Sequence, residues 1–70
     1  MSTKPTRLGE KIKRLRKSQN LTQEKLAELA SVDPKTIISI ETGARRNPTL
    51  KTLSKLANAL GVKVKDIFPF

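Results

Sequence analysis

Lys35, Ser39 and Thr42 follow one another at spacings of four and three residues, the repeat that places side chains on one face of an α-helix. They offer an ammonium and two hydroxyls. Such groups hydrogen-bond to polar edges, but with no base among them they do not make an activated nucleophile. Asp33, at the start of the segment, is the one acid on that face. The chain as a whole has no histidine and no cysteine, which removes the commonest general base, the usual zinc ligands and any disulfide framework. What it has in excess is positive charge: 15 Lys and Arg against 6 Asp and Glu, a formal net charge of +9 on 70 residues. The early part is especially basic, with Lys4, Arg7, Lys11, Lys13, Arg14, Arg16 and Lys17 opposed only by Glu10. Donors on one face and a surplus of cations point to recognition of a polyanion, not to catalysis. No cofactor, metal or small-molecule ligand is expected.

Those side chains are useful only if something holds the helix that carries them. Leu8, Ile12 and Leu15 recur at helical spacing and predict a first helix over about 7–18, basic on its other faces and stopped near Asn20. Thr22 is a good N-cap for a second helix, whose buried stripe is Leu26, Ala27 and Ala30. Asp33-Pro34 starts a third: Asp caps, and Pro at the first helical position gives up no N–H that the helix needs. Ile37 and Ile40 then face inward, so a rotation of about 100° per residue turns Lys35, Ser39 and Thr42 outward. Gly43 stops this helix in a left-handed conformation. Arg45-Arg46-Asn47-Pro48 reads as a loop. Thr49 caps a fourth helix with Leu50, Leu53, Leu56, Ala57 and Leu60 in the core, ended by Gly61. Val62, Val64, Ile67 and Phe68 close the chain as a short turn or helix. The fold class expected is all-α: one compact five-helix domain over 7–70, after a flexible arm over 1–6. The apolar runs are too short for a membrane span and the N-terminus has no h-region, so a cytoplasmic location is expected.

The second and third helices are short and meet at the tight turn Ser31-Val32-Asp33, which makes a helix-turn-helix. The stretches Leu21-Thr22-Gln23-Glu24-Lys25-Leu26-Ala27 and Ile37-Ile38-Ser39-Ile40-Glu41-Thr42-Gly43 resemble the Cro and phage-repressor type of helix-turn-helix, also called the xenobiotic-response-element type. The likeness runs from about Leu8 to Phe68. It implies a repressor-like DNA-binding domain: a sequence-specific transcriptional regulator of bacterial, phage or plasmid kind, probing the major groove of double-stranded DNA with its third helix. By the same resemblance, base contacts fall on Pro34, Lys35 and Ser39. Pro34 departs from the glutamine often found there, which shifts readout away from side-chain hydrogen bonds at that position. Phosphate contacts fall on Thr22, Gln23, Thr36, Arg45, Arg46 and Arg16, and Gln23 also braces the third helix. Arg16 and Glu41 match a pair that bridges the first and third helices. Ser31 stands where the family usually has glycine, so a turn residue with positive φ would be slightly strained. Relatives pair through the segment after the fourth helix. That implies a homodimer on a pseudo-palindromic operator, weak when free, with Val64 and Phe70 as the dimer contacts.

Other functions fit less well. Some small relatives of this type act as antitoxins or co-regulators through a protein partner, which is the main alternative. A membrane-surface role for the basic first helix lacks an aromatic anchor. RNA binding lacks a stacking platform, since the two phenylalanines lie at the extreme C-terminus. Ile38, on the flank of the third helix, is expected to pack under the 45–48 loop, the other option being contact with the DNA sugar edge.

Overall fold

The computed structural model describes residues 6–67. Five α-helices follow in order, with no strand among the described residues: α1 Arg7–Ser18, α2 Gln23–Ala30, α3 Pro34–Thr42, α4 Leu50–Leu60 and α5 Val64–Ile67. Most of the arm expected at the N-terminus, Phe68 and the expected dimer contact Phe70 lie outside the described residues. Thr6, assigned to the arm by its neighbours, instead caps α1: its hydroxyl accepts from the Gly9 N–H at 2.9 Å.

Local chemistry sets the helix limits. Thr6, Thr22, Asp33 and Thr49 are extended N-caps whose side-chain oxygens each accept a backbone N–H from the first turn, satisfying one donor that helix geometry leaves open. Glu10 near the start of α1 and Arg16 and Lys17 near its end have the signs that a helix dipole favours. The ends of α2 and α4 close with the same pattern. Val32 N–H donates to Ala27 and Val62 N–H to Ala57, both at 2.9 Å, around left-handed Ser31 (φ 56°) and Gly61 (φ 72°). In both, the following valine packs on the core.

The core joins one stripe from each helix: Leu8 and Ile12, Leu26 and Ala30, Ile37 and Ile40, Leu53, Leu56 and Leu60, and Ile67. α2 packs against α3 and α4, while α1 packs against α3 and α5, so α3 is held by two partners. Leu50 is a correction. Counted as core from its spacing, it is 68% exposed. It is the first residue of α4, and the stripe that meets the core begins a turn later, at Leu53.

Candidate nucleic-acid interface

The turn between α2 and α3 sets the angle of the third helix. Ser31 adopts φ 56°, ψ 44° and donates its N–H to Glu28, and Asp33 then caps α3 by accepting the Lys35 N–H at 2.8 Å. Pro34 occupies the first position of α3. A non-glycine residue at positive φ costs roughly 1 kcal/mol, and the Val32 anchor beside it offsets that strain through burial.

From behind, α3 is held by a joint of three helices. Arg16 of α1 donates Nε to Glu41 Oε2 at 2.7 Å and Nη2 to Oε1 at 3.1 Å, a two-pronged ion pair. Its Nη1 donates to the Leu21 carbonyl at 2.7 Å. Gln23, first residue of α2, donates its amide Nε2 to Glu41 Oε1 at 3.1 Å. Arg16 and Glu41 are only 8% and 5% exposed, and among the described residues no buried side-chain polar atom lacks a partner. A buried pair whose hydrogen bonds are all met fixes geometry, whatever its net contribution to stability.

Gly9 lets α1 come close enough. A Cβ there would lie 2.3 Å from the Ile40 carbonyl oxygen, so α1 packs directly on the backbone of α3. Nothing in the spacing of the apolar residues marks Gly9; only the close approach of a second backbone explains a glycine inside a helix.

The opposite face of α3 is open. Pro34, Lys35, Ile38 and Thr42 are exposed, and Thr36 and Ser39 are half-buried. Lys35 and Ser39 therefore lie together on the side away from Ile37 and Ile40, as their spacing requires. Ile38 is 44% exposed, so the 45–48 loop does not enclose it as expected. That loop is tied to the helix by its backbone, the Arg45 N–H donating to the Ser39 carbonyl at 2.9 Å. Exposed Arg45 and Arg46 are thereby held at the C-terminal end of α3. At the other flank, exposed Thr22 and half-buried Gln23 mark the start of α2, whose first-turn N–H groups lack intrahelical partners. Arg16, expected to reach phosphate as well as Glu41, has its three nitrogens bonded within the protein and little surface left. Gln23 braces α3 at Glu41, near its C-terminal end. Val64 is half-buried against the core.

Comparison with known proteins agrees with this arrangement. Residues 12–67 match the helix-turn-helix family, and the chain belongs to it. An uncharacterised HTH-type transcriptional regulator of Methanocaldococcus jannaschii is 48% identical over 58 residues, covering 83% of this chain and 86% of that protein. The immunity repressor of Bacillus phage phi105 is 43% identical over 60 residues, 86% of this chain but 41% of the repressor. Among solved structures, the biofilm-formation master regulator SinR, a Bacillus subtilis protein, in complex with DNA superimposes with a TM-score of 0.83 at 33% identity, over 86% of this chain and 95% of that one. These three relatives are regulators of transcription. No helix among the described residues is long and apolar enough to cross a membrane.

Proposed function

We propose that this protein is a sequence-specific, double-stranded-DNA-binding transcriptional regulator, acting as a repressor, that reads the major groove with α3 as a homodimer. One observation carries the reading: α3 is held from behind by Arg16, Glu41 and Gln23, while exposed Lys35 and half-buried Ser39 face outward between the start of α2 and the Arg45-Arg46 loop. Lys35 donates to guanine O6 and N7, and Ser39 pairs with a second base edge. Pro34 sits close to the bases and offers them carbon only. Thr22, Gln23, Thr36, Arg45 and Arg46 anchor the DNA backbone, which positions the protein without specifying sequence. Arg16 serves the joint, not the DNA. The DNA complex of SinR and the repressor role of the phi105 protein support this assignment.

Two hydrogen-bonding side chains read too few base pairs to single out a site, so a second copy is required. With extents of 33 × 25 × 22 Å, one protomer is about as long as a turn of B-DNA, ~34 Å, and two copies abreast reach successive turns of the major groove. The surface of Val64 left open by the core is the part that a second copy covers. Selection from random duplexes, read by sequencing, should return an imperfect palindrome with half-site centres about one helical turn apart. Titration of that duplex should reach two protomers per site. Tight one-to-one binding to an asymmetric site would rule the dimer out, and a selection that returns no preferred sequence would overturn specific DNA binding.

A further inference from the structure

The outer face of α3 carries two rows, not one. Lys35 and Ser39, four residues apart, form the row of hydrogen-bonding side chains. Beside it, Pro34, Ile38 and Thr42 repeat at the same spacing and all three are exposed. Thr42 turns its hydroxyl back on its own chain, donating to the Ser39 carbonyl at 3.3 Å and accepting from the Ala44 N–H at 3.4 Å. Proline has no donor and isoleucine no polar atom, so this second row meets a partner with carbon. Ile38, at its centre, is 44% exposed, whereas its neighbours Ile37 and Ile40 are fully buried. The core does not use Ile38. It lies next to the side chains assigned to base readout on a protein of net charge +9, which favours a polyanionic partner over an apolar one.

At the major-groove edge, thymine alone of the four bases presents a methyl group, on C5. We propose that Ile38 is a specificity-determining residue that reads the C5-methyl of a thymine in each half-site, beside the base pair contacted by Lys35 or Ser39. The inference rests on the assignment of α3 to the major groove and adds a chemical class of contact to it. A hydrogen-bonding row and a hydrocarbon row together distinguish more sequence than two polar side chains do, and they give Pro34 and Ile38 one common use.

Deoxyuridine in place of thymidine removes the methyl and leaves every hydrogen-bonding group unchanged, so it isolates this contact. Each thymine of the selected duplex is replaced in turn, and binding is measured for the parent and for Ile38→Ala. The parent should lose about four-fold in affinity at one thymine per half-site, the effect of one buried methyl. Ile38→Ala should bind the thymine duplex more weakly by a similar factor and no longer distinguish thymine from uracil there. Because Ile38 is outside the core, the variant should unfold at the same urea concentration as the parent. If every uridine duplex binds the parent as tightly as the thymine duplex, or if Ile38→Ala keeps the parent's sensitivity, the inference fails. In that event a changed base preference for Lys35→Ala would leave the major-groove assignment standing, whereas loss of all duplex preference in the parent overturns both.

Discussion

The two faces of α3 use polar groups in opposite ways. On the inner face, the Glu41 carboxylate receives three hydrogen bonds from Arg16 and Gln23 and is almost sealed from water. On the outer face, the Lys35 side chain is exposed and Ser39 half-exposed. The inner face meets its partners when the chain folds, and the cost of leaving any of them unpaired falls on stability. In the proposed function the outer face meets its partners only on DNA, so the same loss falls on affinity and on choice of sequence. Rigidity behind and openness in front belong together. A reading helix that could tilt would average over several base registers, and preorganisation by the joint lowers the cost of binding.

Substitutions on either side test that division. The largest effect is expected from Glu41→Ala, which leaves the Arg16 guanidinium buried and unpaired and should lower folding stability by about 3 kcal/mol. Urea unfolding measures it; a midpoint equal to the parent's would mean that the joint does not hold α3. Smaller, and of another kind, is Lys35→Ala. It should cost about 1–3 kcal/mol of binding to the preferred duplex and relax preference at one base pair, with stability unchanged. Were the unfolding midpoint to fall while base preference stayed intact, the two faces would not divide as described. The smallest change is expected at the flank. Arg45→Ala should weaken all duplexes alike and reduce the slope of log affinity against log salt by about one. A sequence-dependent loss there would move Arg45 from backbone anchoring to base readout.

Much of the scaffold is legible in the amino-acid sequence, because the interactions that set it span three or four residues. Thr22, Asp33 and Thr49 act as caps through the N–H groups two or three positions ahead, and Gly43 and Gly61 end their helices through their own positive φ. Spacing alone also put Ile37 and Ile40 inward and Lys35 and Ser39 outward, because helical geometry fixes relative direction within one element.

What depends on a second helix had to come from the tertiary structure. Leu50 and Leu53 share a helical stripe, yet one is 68% exposed and the other 2%, since burial depends on where the neighbouring helices end. Ile38 is another case: its spacing leaves it on the flank of α3, and only the packed fold shows that it stays 44% exposed. Gly9 is needed because the Ile40 carbonyl comes within reach of a Cβ, a contact across 31 positions that no local pattern encodes. The family resemblance pairs Arg16 with Glu41 and has Gln23 brace the third helix, but that Gln23 does so through the same Glu41 carboxylate follows from the start of α2 lying beside the end of α3. The sequence by itself determined the helices, their caps, their apolar stripes and the charge. Packing among the helices decided which polar groups are spent within the fold and which are left for a partner, because burial belongs to pairs of elements and not to one.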